Sequence, residues 1–333
     1  MEKFLPEGHV PFKFPEVLDN TILSAWLSCK RKAFFAHFLH LKPKQESIHL
    51  LAGAAYASAL EQFRLSYWSD DSPTKLDVEG SLAVALRTLF LKYGYDTDQL
   101  EYQESTNKSC ERMAEALVKH CLVNYNPKTD SIRPFMVDGK PAVEQSFAIE
   151  LGLNNPDTNE PILVHGRSDM LVEYNGGLFG FDDKTCSQLG NTWLNKWDFR
   201  SQFTGYTKGL NDMGHPILGT IIRGHCFLKG DVKFAEAISH RKQWQVDEWF
   251  ADVHQVVYEM IQYYQRAKQA YEEGTDKFQL YKMFTASGKF NETCVAYGGC
   301  EYQSLCNNEY PHRYLRDFRI RVWDPRNPER EEG

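Results

Sequence analysis

The sequence lacks the features that mark membrane, secreted and disordered proteins. No stretch in its 333 residues approaches the roughly 18 uninterrupted apolar residues of a membrane span. The opening MEKFLPEGHVPF has no apolar stretch of the signal-peptide kind, and there are no internal repeats or low-complexity linkers. Hydrophobic residues make up 42% and charged residues 25%, an ordinary globular balance. We therefore expect a folded, cytoplasmic protein with no membrane partner.

An excess of positive charge is also missing. The chain has 38 Lys and Arg residues against 45 Asp and Glu residues, a net charge of −7. This excludes a uniformly basic, histone-like nucleic-acid binder but leaves room for a local basic groove. Eight cysteines are present. Cytoplasmic thiols rarely form disulfides, so clustered cysteines predict a metal centre or catalysis.

Hydrophobic periodicity predicts helices, then strands, then helices again. An irregular arm over 1–18 is expected to precede a helical half over 19–125, in which Asp19 or Asn20 caps the first helix. Further helices are predicted over 48–68, 79–94, 107–124, 191–212 and 244–272. Strands are predicted over 143–153, 162–174, 178–184 and 217–227, with a short edge strand over 233–239. The order predicts one α/β or α+β domain over 19–310, followed by a charged tail over 311–333.

The segment 163–185, LVHGRSDMLVEYNGGLFGFDDKT, predicts a hairpin with charged residues on one face. A turn at Asn175-Gly176 would place Asp169 opposite Asp182, whereas a turn at Gly176-Gly177 would place Asp169 opposite Lys184. Under either register all three side chains share a face. Opposed carboxylates repel unless a cation compensates, and hard oxygens suit Mg²⁺ or Mn²⁺. The alternative is a solvated face with a cross-strand Asp–Lys pair.

Several motifs together resemble the PD-(D/E)xK nuclease superfamily, in its RecB-like branch, over roughly residues 20–310. They are Gly166-Arg-Ser-Asp169, Asp182-Asp-Lys184, Gln202-Phe-Thr-Gly-Tyr206, Gly53-Ala-Ala-Tyr-Ala-Ser-Ala-Leu-Glu61, and Glu144 on the strand before the hairpin. The resemblance implies a restriction-endonuclease-like core over 140–275, a small mixed sheet flanked by helices. Asp169, Asp182 and the backbone carbonyl of Asp183 would bind Mg²⁺ or Mn²⁺, and Lys184 would orient the attacking water. Gln202 and Tyr206 would position the DNA strand.

One position departs from the family pattern. The metal-binding histidine of the family falls on Ala57, which has no ligand atom. Some relatives place a helical glutamate near the metals instead, and Glu61 is the candidate for that role here. The departure puts a second metal ion in doubt and, with it, catalysis.

Three cysteines near the C-terminus have a C-x5-C-x5-C spacing: Cys294, Cys300 and Cys306. Structural zinc sites normally contain closer pairs, and iron–sulfur clusters take a fourth thiolate from a remote position. Cys29, in SAWLSCKRKAFF, resembles the N-terminal cysteine of AddB-like and CRISPR-associated RecB-like nucleases. That resemblance implies a structural 4Fe–4S cluster joining Cys29 to the segment 276–310. The wide first gap resembles phage members of the group, which would place the protein in a host cytoplasm. The alternatives are ordinary buried thiols or a zinc ion.

Aromatic and basic residues surround the Gln202–Tyr206 motif. Trp193, Trp197, Phe199 and Phe203 are candidates for base stacking, although most aromatic residues at helical spacing belong to a core. Arg200 and Lys208 are candidate phosphate contacts.

The resemblance implies an exonuclease that acts on DNA ends or single-stranded DNA in recombination, repair or end processing. Two other functions stay open. The first is a catalytically impaired nuclease fold that holds DNA ends for a helicase, a single-strand annealing protein or another copy of itself. The second is an iron–sulfur protein without nuclease activity.

Overall fold

The computed structural model describes residues 12–45, 48–70, 75–93, 107–296 and 299–327. Position 94 of a predicted helix, Gly298 of the cysteine segment, most of the arm (1–11) and the end of the tail (328–333) lie outside these ranges. The chain divides into two units. The terminal unit contains Met1–Gln45, Ala148–Gly166 and Asp247–Gly333, and the internal unit contains Glu46–Phe147 and Arg167–Val246. Each unit is formed from segments that are discontinuous in sequence.

The helices follow the predicted pattern closely. In chain order they are α1 (Asn20–Ser28), α2 (Lys30–Ala33), α3 (Ile48–Trp68), α4 (Val78–Tyr93), α5 (Cys110–Lys119), α6 (Asn191–Asn195), α7 (Ser201–Asp212), α8 (Gln243–Glu272) and α9 (Gln303–Cys306). Asp19 caps α1 by accepting a hydrogen bond from the Ile22 amide. The predicted helix over 107–124 is α5 continued by a π-helical turn, His120–Asn124, and that over 191–212 is interrupted by the 3₁₀ turn Lys196–Phe199.

The long strands also fall where alternation predicted them, and very short strands were missed. The strands are β1 (Val17–Leu18), β2 (Leu41–Pro43), β3 (Arg133–Pro134), β4 (Met136–Val137), β5 (Lys140–Pro141), β6 (Val143–Asn154), β7 (Pro161–Tyr174), β8 (Gly177–Cys186), β9 (Gly219–Phe227), β10 (Val232–His240) and β11 (Phe318–Ile320). Strands of two or three residues are too short to show a period. Residues 17–18 and 318–320 are therefore strands inside the segments expected to be an irregular arm and a charged tail.

The internal unit contains a mixed sheet flanked by helices, as the predicted α/β class requires. Its strands run in the order β7-β8-β9-β10, with β10 at the edge as predicted. The β7–β8 and β9–β10 pairs are antiparallel, and β8–β9 is parallel. A parallel pair needs a crossover, and α6 and α7 form it. Helix α3 contacts β8, and α7 contacts β9.

Apolar faces of α3, α4 and α5 form the main core of the internal unit. Fully buried members include Tyr56, Leu89, Met113 and Phe227. Cys110 and Cys121 also lie in this core, as the helical stripe predicted. A second cluster on the sheet contains Val172, Phe181 and Ile221.

The terminal unit is held together by aromatic packing and by strand pairs between distant segments. Phe34 packs on Phe284 with ring centroids 4.5 Å apart, and Phe38 stacks on Tyr264 at 5.7 Å. Strand β11 pairs antiparallel with β2, and β1 pairs parallel with residues 163–164 of β7. Residues near both ends of the described chain therefore meet in one unit. Within the described residues, no helix has both the length and the apolar character to cross a membrane.

Candidate active site and cysteine pocket

The hairpin brings the two predicted metal-binding carboxylates together. Tyr174 pairs with Gly177 and Met170 with Phe181, so the turn is Asn175-Gly176, the first of the two predicted registers. Asn175 and Gly176 both have positive φ, 48° and 76°, as a type I′ turn requires. Beyond the last paired residues, the Asp183 amide donates a hydrogen bond of 2.9 Å to Oδ2 of Asp169. Lys184 Nζ lies 2.5 Å from Oδ1 of Asp182.

Burial shifts the pKa values of the charged groups in this cluster. Burial, followed by the charge of Asp182, raises the pKa of Asp169 well above its usual range. Burial also raises the pKa of Asp182, although Lys184 opposes the shift. For Lys184, burial favours the neutral amine, but the charges of Asp182 and Asp169 outweigh it and raise the pKa. Two carboxylates that resist simultaneous ionisation gain from a bound cation.

Tyr206 and Gln202 connect to this cluster in series. Gln202 Nε2 donates a hydrogen bond of 2.7 Å to the Tyr206 hydroxyl, which donates one of 3.3 Å to Oδ2 of Asp182. The one-turn spacing on α7 therefore aligns them, as predicted. Phe147 packs edge-on against Tyr206, with ring centroids 5.9 Å apart. A Cβ on Gly209 would lie 2.0 Å from the Phe147 ring, so this close approach requires glycine.

The side chain of Asp183 points to the other face of β8 and enters a buried network that sequence reasoning missed. It forms an ion pair with Arg64, and Oδ1 lies 2.8 Å from Nε2 of His225. His225 Nδ1 is 3.0 Å from the Tyr56 hydroxyl. Burial alone would raise the pKa of Asp183, but Arg64 and His225 reverse the effect and hold it far below its usual range. Asp183 is therefore a buried anion.

The signal for this network lies in the parallel sheet. Asp183 is opposite Arg223 and Thr185 is opposite His225, so these four residues project from one face by alternation. The alternation is readable in each strand separately. The sequence does not show that β9 pairs with β8, because the two strands are separated by the crossover that contains α6 and α7.

Helix α3 carries the remaining predicted motif along β8. A Cβ on Gly53 would lie 3.7 Å from Thr185 Oγ1, and Arg64 on the same helix reaches Asp183. Between them Ala57 is exposed and Glu61 is half-buried. Glu61 as a metal ligand stays a prediction. Glu144, another candidate acid, forms an ion pair of 2.6 Å with Arg167.

The predicted DNA contacts differ in their surroundings. Lys208 forms an ion pair of 2.5 Å with Asp212 on α7, whereas Arg200 is exposed. Among the four candidate stacking residues, Trp193, Trp197 and Phe203 are buried. They are core residues, and only Phe199 is left for stacking.

The donor set at the hairpin suits a hard divalent cation. Asp169 and Asp182 offer carboxylate oxygens, and the adjacent Asp183 carbonyl offers a third oxygen type that Mg²⁺ or Mn²⁺ accepts. The described part of the chain has no three His, Cys, Asp or Glu side chains gathered around one ion position. The predicted metal site at the hairpin has only two carboxylate side chains, Asp169 and Asp182, and its third ligand is a backbone carbonyl. It therefore differs from a site built from three side chains.

All four predicted cluster cysteines line one cavity in the terminal unit. Cys29, Cys294, Cys300 and Cys306 are among the residues that line a cavity of about 120 Å³. In a multi-iron cluster each thiolate binds a different iron, so the sulfur atoms lie farther apart than the ligands of a single ion. A cavity lined by four thiols is the arrangement that such a cluster needs.

The backbone around the cavity is shaped by glycine and by short turns. A Cβ on Gly288 would lie 2.7 Å from Thr293 Oγ1 and 3.0 Å from the Cys294 sulfur, so a larger residue here would require these side chains to shift. The Cys300 amide donates a hydrogen bond of 2.9 Å to the Cys294 carbonyl. Gly299, between them, has a φ of 104°, a conformation that favours glycine.

Positive charges line the same cavity. Arg31, Lys32 and Lys289 contribute to its wall. Arg31 Nη1 donates to the Cys306 sulfur at 3.4 Å, and its Nε donates to the carbonyls of Tyr281 and Phe284 at 3.2 Å each. Burial raises the pKa of Cys300. A thiolate-ligated cluster is anionic, and these cations match its charge.

Comparisons with protein-family models and with curated proteins gave no match. Among solved structures, the chain is similar to one titled "Crystal structure of SSO0001", with 11% sequence identity and a TM-score of 0.24. That similarity covers 71% of this chain and 85% of the other.

Proposed function

We propose that this protein is a metal-dependent deoxyribonuclease that acts as an exonuclease on DNA ends or single-stranded DNA. The observation that carries the proposal is the convergence of Asp169 and Lys184 on the fully buried Asp182, with Tyr206 bonded to Asp182. Two neighbouring carboxylates with raised pKa values, one of them fully buried, next to an ammonium are typical of a catalytic site.

Each residue has a definite part in this proposal. Asp169, Asp182 and the Asp183 carbonyl would hold Mg²⁺ or Mn²⁺, which supplies Lewis-acid polarisation of a phosphodiester when bound. Lys184, kept charged by the two carboxylates, orients a water molecule and stabilises the negative charge that develops on the phosphate. Tyr206, fixed by Gln202, orients the Asp182 carboxylate and positions the strand.

The four-cysteine cavity supports a 4Fe–4S cluster with a structural role. Cys29 and the cysteines of 294–306 lie far apart in sequence, so a shared cluster would cross-link the terminal unit. Constraints that close long loops stabilise a fold by limiting the unfolded chain. The proposed site residues of the nuclease all belong to the internal unit, and the cluster cysteines all belong to the terminal unit.

The test uses protein purified without oxygen, end-labelled single-stranded DNA and Mn²⁺. We expect shortening of the labelled strand, no shortening without the cation, and none with Asp182→Ala. Asp212→Ala is the matched control, because Asp212 is an exposed carboxylate on α7. Cleavage that survives in Asp182→Ala would refute this active site.

Ala57 favours a second candidate function, a DNA-holding protein without cleavage. The helix position that carries a metal-binding histidine in the family that the sequence resembles is here an exposed methyl group. Equal DNA binding by the unaltered protein and Asp182→Ala, without cleavage in any divalent cation, would support that function. A helicase, an annealing protein or another copy of the chain would then be its partner. Absence of any DNA binding beside a visible cluster spectrum would leave an iron–sulfur protein of another function.

A further inference from the structure

Phe199 is a large apolar side chain in solvent next to the proposed active site. It is 93% exposed and ends the 3₁₀ turn Lys196–Phe199, two residues before α7 begins. Gln202, three residues later, belongs to the chain of hydrogen bonds that reaches Asp182. A single exposed apolar residue is ordinary on a protein surface. Phe199 differs from an ordinary exposed residue because its turn is fixed and contains two cations.

Hydrogen bonds and aromatic packing fix the turn that carries Phe199. Arg241 donates hydrogen bonds to the carbonyls of Trp197 and Arg200, at 3.0 and 3.3 Å. The buried Ser239 hydroxyl donates to the Trp197 carbonyl at 3.1 Å. The Trp197 ring packs against Trp193 and Phe203, with centroids 5.2 and 5.8 Å away. The backbone on both sides of Phe199 is therefore fixed while its ring stays in water.

The turn that carries Phe199 also holds two cations, Lys196 and Arg200, which lie beside the Trp197 ring. Lys196 Nζ lies 4.2 Å from the centroid of the Trp197 ring, and the Arg200 guanidinium lies 5.9 Å from it. Burial lowers the pKa of Lys196, and the charges of Arg200 and Lys184 lower it further, so the three cations are close enough to repel one another. Asp198 is the one carboxylate of the turn, and its Oδ1 lies 3.2 Å from the Ser239 hydroxyl.

We propose that the turn 196–200 is a binding platform for an unpaired nucleotide of the DNA substrate. A base stacks on Phe199, and the phosphates beside it contact Lys196 and Arg200 on the way to Lys184. An aromatic ring with free faces, next to cations, is the arrangement that proteins use for single-stranded nucleic acid. Bases inside a duplex are already stacked, so the platform selects single strands and frayed ends. The inference rests on the proposed nuclease function and specifies its substrate.

The test measures binding, separately from cleavage. In an Asp182→Ala background, fluorescence anisotropy gives the Kd for a labelled single strand and for a blunt hairpin duplex, without divalent cations. We expect Phe199→Ala to weaken single-strand binding about 5- to 100-fold, the range of one lost base–aromatic stack, and to change duplex binding less than about 2-fold. Phe199→Trp should retain single-strand binding. A 2-aminopurine base in the strand should lose its quenching only in Phe199→Ala.

Phe290→Ala is the matched control, because Phe290 is 86% exposed and belongs to the other unit. It should leave both Kd values unchanged. Equal binding by Phe199→Ala and its parent, an equal loss for duplex and single strand, or full retention by Phe199→Leu would each overturn the platform. If cleavage by the unaltered protein depends on Asp182 while Phe199→Ala binds normally, the platform alone fails. If the parent binds no DNA, the platform and the proposed function fail together.

Discussion

The pKa values of the adjacent residues Asp182 and Asp183 on β8 shift in opposite directions because the two side chains point to opposite faces of the sheet. Burial raises the pKa of Asp182 against the opposing charge of Lys184, whereas Arg64 and His225 outweigh burial and lower the pKa of Asp183. Strand alternation alone placed Asp169, Asp182 and Lys184 on one face. It could not show what meets Asp183, because Arg64 and His225 come from a helix and a strand that are distant in sequence.

We expect Arg64→Met to destabilise the protein by about 3–5 kcal/mol, since it leaves Asp183 as a buried, incompletely compensated charge. Asp183→Asn should also destabilise it, and the double variant should lose less than the sum of the two. Urea unfolding at pH 7 measures all three changes. Additive losses would mean that the pair is not coupled.

The effect of Asp183 should depend on pH in a definite direction. Its pKa is lowered in the folded state, so its carboxylate contributes stability at pH values above its unfolded pKa of about 3.9. That contribution is lost as the pH falls further, toward the folded value. The difference in unfolding free energy between the unaltered protein and Asp183→Asn should therefore shrink from pH 7 to pH 3. A constant difference would contradict the assignment.

At the scale of elements, the arrangement of α7 and the hairpin was partly readable from the sequence. The hairpin turn and the spacing of Gln202 and Tyr206 follow from local rules, and both are confirmed. Contact between Tyr206 and Asp182 was not derivable in this way, because it depends on the parallel β8–β9 pair and on the crossover over it. The restriction-endonuclease-like identity of the core and the iron–sulfur segment stay predictions.

Alanine substitutions at two helical glycines, Gly209 and Gly53, should have different effects on stability. Gly209→Ala would place a Cβ 2.0 Å from the Phe147 ring and should destabilise the protein by about 1–3 kcal/mol through overpacking. Gly53→Ala meets only Thr185 Oγ1, at 3.7 Å, and should be neutral or stabilise α3 by up to about 1 kcal/mol. Thermal melting of both variants measures the contrast. Equal melting temperatures would mean that α7 shifts freely and does not fix Tyr206.

At the scale of the whole molecule, the terminal unit depends on segments from the two ends of the chain. Only the resemblance suggested that Cys29 meets Cys294, Cys300 and Cys306. The β2–β11 pair and the bond from Trp323 Nε1 to Asp19 Oδ2, 3.1 Å long, had no readable signal. Local periodicity predicts which elements exist, and these long-range pairings depend on the tertiary fold.

Loss of the proposed cluster should destabilise the terminal unit selectively. With the proposed cross-link lost after oxidative destruction of the cluster, we expect faster amide hydrogen exchange in residues 12–45 and 276–327. Residues 167–227, which carry the proposed active site, should exchange as before. Protein whose four cysteines are replaced by serine is the reference for the cluster-free state. Uniform acceleration along the chain would show that the two units unfold together.

The position of Cys29 in the sequence also means that it is synthesised long before the other three cysteines. During synthesis at about 5–20 residues per second, the 265 residues that separate Cys29 from Cys294 take roughly 15 to 50 s to emerge. Throughout that interval Cys29 has none of the three cysteines with which it would share the proposed cluster, whereas the internal unit, which ends at Val246, is complete before Cys294 is made. Assembly of the proposed cluster would therefore have to follow translation of Cys306, and a nascent chain that stalls before that residue would present an incomplete set of thiols.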